Sequence, residues 1–134
     1  MIDANNVPAV EDDELLERFI VNSNEFHADD TVAPRLYMPY ARVVLSVNRH
    51  RDASLDETWA IARQVAATRQ KTLYGRSDIQ AGGCKINPLS VAATPIIPEN
   101  PNHADITGYP SQKDDQKSLA QKLAAAASKR IAPP

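Results

Sequence analysis

Hydrophobic residues recur along this chain in short separate patches, and the spacing within each patch points to a different element. Leu15 and Phe19 lie four apart, as do Leu16 and Ile20, which predicts one apolar stripe on a helix. The acids at positions 11–14 sit where a helix N-terminus favours negative charge, and Asn22-Ser23-Asn24 is expected to end it. Residues 36–48 alternate instead. Val43, Leu45 and Val47 fall on one side, and Arg42, Ser46 and Asn48 on the other, the pattern of a half-buried strand with Pro39 at its start or edge. Ser54-Leu55-Asp56-Glu57 then matches a capping box. Leu55, Trp59, Ala62 and Ala66 form the inward face of the helix it starts, which is expected to run to about Gln70.

The second half is less regular. Leu73-Tyr74-Gly75-Arg76-Ser77-Asp78 reads as a turn into a short helix ended by Gly82-Gly83. Weak alternation over 84–97, interrupted by Pro88 and Pro95, predicts one short edge strand. Residues 98–110 carry Pro98, Pro101 and Pro110 without periodicity and are expected to cross the domain as an irregular segment. A last helix is expected over 111–131, capped by Ser111, with Leu119, Leu123 and Ala126–Ala127 inward and Lys113, Lys117 and Lys122 toward water. Residues 1–10 form an arm. The expected architecture is α+β: a small antiparallel or mixed sheet of two to three strands packed with about three helices, as one domain over residues 1–134.

Composition narrows the class. Only 5% of the residues are aromatic although 43% are hydrophobic, so the core is built from Ala, Val, Leu and Ile and buries little area per residue. Such a core favours a protein partner or self-association that covers a further surface. Cys84 is the single cysteine, so no intrachain disulfide can form, and a lone thiol fits a reducing cytoplasm. No apolar run approaches the roughly 18 residues of a membrane span. The start lacks a signal-peptide pattern, so a soluble cytoplasmic protein is expected, without a membrane partner.

Charge is unevenly divided. Residues 1–30 hold nine acids against one base, Arg18, whereas residues 35–85 hold nine bases against four acids. Either the two faces attract different partners, or the acidic segment packs over the basic one.

Three constellations carry candidate chemistry. Asn48-Arg49-His50-Arg51-Asp52 offers two guanidiniums and an imidazole that can hold a phosphate and move a proton. Asn102-His103-Ala104-Asp105, followed by Tyr109, places a histidine two residues from an acid, on one side of an extended backbone. Tyr74-Gly75-Arg76-Ser77-Asp78 offers an arginine beside a turn. Arg35 and Arg42 interleave with Tyr37 and Tyr40, the kind of surface on which single-stranded nucleic acid stacks. No spacing typical of a zinc, calcium or nucleotide loop occurs, so neither metal nor cofactor is expected.

The leading expectation is a small non-catalytic interaction or accessory protein of a larger assembly, with the balance against an enzyme. The alternative is a metal-independent ribonuclease or phosphate-binding enzyme. It would use His103, His50 and Arg49 for catalysis, with Arg51, Arg76, Arg42 and Arg35 on phosphate and Asp105, Tyr74 and Tyr109 in support. A nucleic-acid-binding module without chemistry is the third reading.

Overall fold

The computed structural model describes residues 1–39 and 43–134; Tyr40, Ala41 and Arg42 lie outside the described residues. Its chain runs β1 (Leu15–Ile20), β2 (Leu45–Arg49), α1 (Leu55–Thr68), β3 (Gly75–Gln80), α2 (Ala81–Ile86), β4 (Ser90–Ala93), β5 (His103–Thr107) and α3 (Lys113–Ala126). The strands form one five-stranded antiparallel sheet in the order β3-β1-β2-β5-β4. The architecture is α+β, and the expected two to three strands are corrected to five.

Each missed strand has a physical cause. The four-residue spacing of Leu16 and Ile20 is one helical turn, but it is also an even separation, and even separations share a face in a strand. Residues 15–20 are β1, paired along its whole length with β3. The β3 sequence Gly-Arg-Ser-Asp-Ile-Gln has little strand propensity. It is held because its buried polar groups find partners: Tyr37 Oη lies 3.0 Å from Ser77 Oγ, and Arg76 Nε donates to Asp78 at 3.1 Å. The supposedly irregular stretch 98–110 contains β5, whose alternation of Ala104 and Ile106 against His103, Asp105 and Thr107 is short and masked by prolines. Val43, at φ 58°, breaks the extended run expected from residue 36, so β2 begins only at Leu45. Gly82-Gly83 lies inside α2 rather than ending a helix, because Gly82 N–H donates to the carbonyl of Asp12 and the two chains touch there. The Ser54–Glu57 capping box forms as the sequence indicates, with bonds of 3.0 and 3.1 Å.

The two sheet faces differ. Leu16, Ile20, Leu45, Val47, Ile79 and Ile106 face a core closed by α2, α3 and the helical turn Pro34–Tyr37. Glu17, Asn48, Arg76, Asp78 and His103 occupy the opposite face, where Arg76 stacks its guanidinium 5.1 Å from the Trp59 ring of α1. The outer edge of β3 is closed by the C-terminal segment: Arg76 and Ile131 exchange backbone bonds of 3.0 and 2.8 Å. Gly75 makes this possible. It adopts φ +142°, and a Cβ there would collide with the Ile131 carbonyl oxygen.

Residues 1–10 are pinned rather than loose. Ile2 is buried, and its amide donates to Asn102 Oδ1 at 3.0 Å. Arg49, fully buried at the end of β2, donates to both carboxylate oxygens of Glu14 at 2.8 Å and to the carbonyls of Pro8 and Ala9 at 2.7 and 3.2 Å. Removing one partner of such a pair strands a buried charge, a loss of about 3–5 kcal/mol. Arg49→Ala is therefore expected to lower unfolding free energy by about that much in urea titration. Arg49→Lys should recover only part, because an ammonium cannot reproduce the two-pronged geometry. Full stability in Arg49→Ala would contradict this role.

Candidate functional site

A cleft and two inner cavities surround the C-terminal half of α1, and Arg69 lines all three. The outer cleft, about 880 Å³, lies between the end of α1, the turn at Pro34–Tyr37 and the start of α3. Its cations are Arg35, Arg69, Lys71, Lys113 and Lys117, and no carboxylate is among its described lining residues. Lys113, Lys117 and Gln121 reach it because residues four apart share a helix face. Arg69 and Lys71 follow the C-terminal end of α1, where the helix dipole favours positive charge.

One inner cavity, of about 170 Å³, exists because β1 and β2 part. They pair only at Leu16↔Arg49 and Glu17↔Asn48. Beyond that point the Arg18 guanidinium spans between elements, donating to the Ser46 carbonyl at 3.1 Å and the Leu36 carbonyl at 3.0 Å. The walls include Glu17, Phe19, Ser46, Asn48, Asn100 and His103. The second inner cavity, about 310 Å³, lies between α1 and the β4–β5 connection and adds Ile61, Gln64, Thr68 and the carboxylate of Glu99; Val65, Ile96, Asn100 and His103 line both. Ile96 and Asn100 exchange backbone bonds of 2.9 and 2.6 Å, which closes that connection into a tight loop.

The polar wall is a connected chain. Asn100 Nδ2 donates to Asn48 Oδ1 at 3.0 Å, Asn48 Nδ2 donates to Glu17 Oε1 at 2.9 Å, and Glu17 Oε2 lies 2.9 Å from His50 Nδ1. Burial pushes the Glu17 carboxyl above the usual glutamate range, outweighing the bonds from Asn48 and His50, and the nearby charge of Asp78 adds to the rise. His103 is held separately. Its Nδ1 lies 2.9 Å from both the carbonyl oxygen and the hydroxyl of Thr94. A carbonyl only accepts, so Nδ1 carries the proton and Nε2 is the nitrogen left for a ligand.

The residues singled out in the sequence are dispersed. His50 and His103 line different cavities, and His50 shares its own with Glu11, Asp13, Glu14 and Arg51. Arg49 is committed to Glu14, and Arg51 lies 3.4 Å from the same carboxylate. Burial works against the Glu14 charge, but the bond from Arg49, the Glu11 amide and the nearby guanidiniums outweigh it and hold the carboxyl below its usual range. Arg76 is buried between Asp78, Glu17 and Trp59. Asp105 accepts from Ser46 Oγ at 3.4 Å. Tyr74 packs against Phe26 with the ring centres 5.7 Å apart and the planes tilted by 47°, and Tyr109 Oη donates to the Tyr37 carbonyl at 2.8 Å. Tyr37 itself is fully buried, which corrects its expected exposure as a stacking surface. Of the expected phosphate ligands, Arg35 lies in the basic cleft, and Arg42 lies outside the described residues. Burial raises the Cys84 thiol to about 11, which keeps it protonated at neutral pH. Among the described residues no three His, Cys, Asp or Glu side chains are grouped to hold a metal ion, and no helix is long and apolar enough to cross a membrane.

Sequence reasoning missed Glu17, Asn100, Thr94, Arg69 and Lys71 as site residues. The lysines of α3 were visible as a polar face, but nothing local says that Arg35 lies opposite them.

Because the Glu17 carboxyl is raised in the fold, the folded state holds its proton more tightly than the unfolded chain. Its contribution is fully present below the unfolded value and is lost as pH rises through the folded one. Glu17→Gln removes that titration. The stability of the wild type relative to Glu17→Gln is expected to fall as pH rises above the ordinary glutamate value of about 4.3, followed by thermal melts. A difference that is flat or rises with pH would contradict the assignment.

In comparisons with known proteins, no family model matches the chain, and no curated protein or solved structure matches it significantly.

Proposed function

We propose that this protein binds a phosphate-bearing ligand in the cleft between α1 and α3. The observation that carries this reading is the convergence of Arg35, Arg69, Lys71, Lys113 and Lys117, from three separate elements, on one concavity with no described carboxylate in its lining. Like charges set side by side repel, and Lys113 and Lys117 one turn apart on α3 destabilise it slightly. An anion relieves that repulsion. The concave shape also confines the field, which strengthens attraction for a multiply charged ligand. Arginines offer planar forks to phosphate oxygens, and lysines add point charges.

Other bases of the chain meet acids elsewhere in the fold. Arg49, Arg51, Arg76 and Lys85 are each paired with an acid: Glu14, Glu14 again, Asp78 and Asp12. The acidic N-terminal segment thus lies against one part of the basic stretch. Of the readings open in the sequence, the convergence of five cations on one cleft favours phosphate binding over an accessory role.

The test is fluorescence anisotropy with a labelled single-stranded oligonucleotide, a mononucleotide and inorganic phosphate as separate arms. Binding is expected to weaken steeply with salt. For a single strand the logarithmic slope approaches about −3.5 if all five cations engage, and about −2 in Lys113→Ala/Lys117→Ala. A strand that outcompetes the mononucleotide marks a polymer ligand, and equal affinities mark a small phosphorylated one; both uphold the reading. Failure of all three to bind at low salt, or an unchanged slope in the double variant, would overturn it.

A further inference from the structure

We propose that the inner cavities are a proton-transfer site for a ribonucleotide strand, with His103 as general base toward a 2′-hydroxyl. This rests on the phosphate-binding reading of the cleft.

The first support is the tautomer. The Thr94 carbonyl fixes the proton of His103 on Nδ1, so neutral His103 offers the Nε2 lone pair, the form a general base requires. The second is continuity. Arg69 and Val21 line both the basic cleft and the cavity that holds His103, so the two spaces share a wall that a strand lying along the cations meets. The third is rigidity. His103 opens β5, opposite Asn48 on β2, and Thr94 directly follows β4, so the base is held by the sheet itself. The fourth is the lining. Val65 and Ile96 give apolar walls for a sugar or base, and Asn48, Asn100 and Glu17 are bonded to one another into a fixed polar floor.

These features select RNA by chemistry. A ribose carries its nucleophile beside the phosphorus, so one base and one cationic clamp suffice and no water need be positioned for in-line attack. In the step, His103 Nε2 takes the 2′-hydroxyl proton and the 2′-oxygen bonds to phosphorus. The bond from phosphorus to the 5′-oxygen then breaks, its electron pair staying on that oxygen. Water protonates the departing 5′-oxygen, and the hydroxide so formed recovers the proton from the imidazolium. The products are a 2′,3′-cyclic phosphate and a 5′-hydroxyl, with no net consumption of water. Arg69, at the junction, meets the charge that gathers on the phosphoryl oxygens.

The experiment incubates the full chain with an end-labelled single-stranded RNA and with the DNA of the same sequence, while anisotropy follows binding. Cleavage of RNA to cyclic-phosphate ends is expected, with DNA intact. His103→Ala, purified identically, is expected to cleave at least about 100-fold more slowly while binding within twofold of wild type. Should His103→Ala fail to fold, an RNA with a single ribose among deoxyriboses tests the same step on the wild type: cleavage is expected only after that ribose. RNA that is bound but stays intact overturns the proton-transfer site and leaves phosphate binding standing. Equal cleavage by His103→Ala overturns it too. Absence of binding overturns the phosphate-binding reading itself.

Discussion

A guanidinium buried as completely as that of Arg49 must be met by acceptors on every side, and much of the N-terminal half of the chain is arranged to supply them. Glu14, at the entry to β1, takes two of its N–H groups, and the carbonyls of Pro8 and Ala9 take two more. This one side chain therefore joins the N-terminal arm, the start of β1 and the end of β2. Asn102 repeats the device from the β5 side, donating to the carbonyls of Arg49 and Arg51 and accepting from Ile2. With few aromatic residues to bury, the fold uses satisfied polar groups to fix its register. Those groups specify one arrangement because any other leaves a buried charge or amide without a partner.

The same constraint shapes the candidate site. Glu17 and Asn48 are the last pair that joins β1 to β2, and past them the strands separate. The space so opened is lined by the polar face of the sheet and roofed by α1. Meanwhile Asp12, Glu14 and Glu17 of the acidic N-terminal segment lie against Lys85, Arg49, Arg51 and Arg76. Arg35, Arg69, Lys71, Lys113 and Lys117 gather where α1 ends and α3 begins. The fold thus sorts the bases that meet N-terminal acids from those that line the cleft.

That sorting explains what was readable in the sequence. The α1 capping box is local, needing only Ser54 and Glu57, and it was legible. The α3 periodicity was legible too, although the helix spans Lys113–Ala126 rather than 111–131, with Gln112 at its start in place of Ser111 and no side-chain cap. Strands β1 and β3 were not, because β1 has a spacing shared by helix and strand, and β3 is polar and depends on partners from distant segments. His103 was identified, but its tautomer depends on Thr94 across a hairpin whose second strand, β5, the prolines concealed. His50 and Arg49 were singled out for sitting in a basic turn. In the structure Glu17 of β1 and Glu14 just before it lie against this turn and meet its charges. The cleft itself combines Arg35, Arg69 and Lys113 from far apart in the chain, and no periodicity encodes that meeting.

The most direct measurement of the central claim is a backbone amide NMR titration of the isotopically labelled protein with a short single-stranded oligonucleotide. The largest shift changes are expected at Arg35, Arg69, Lys71, Lys113 and Lys117, extending to Asn100 and His103 as the inner cavities fill. Changes centred instead on the acidic cavity beside His50, or on the exposed β4 edge, would contradict it.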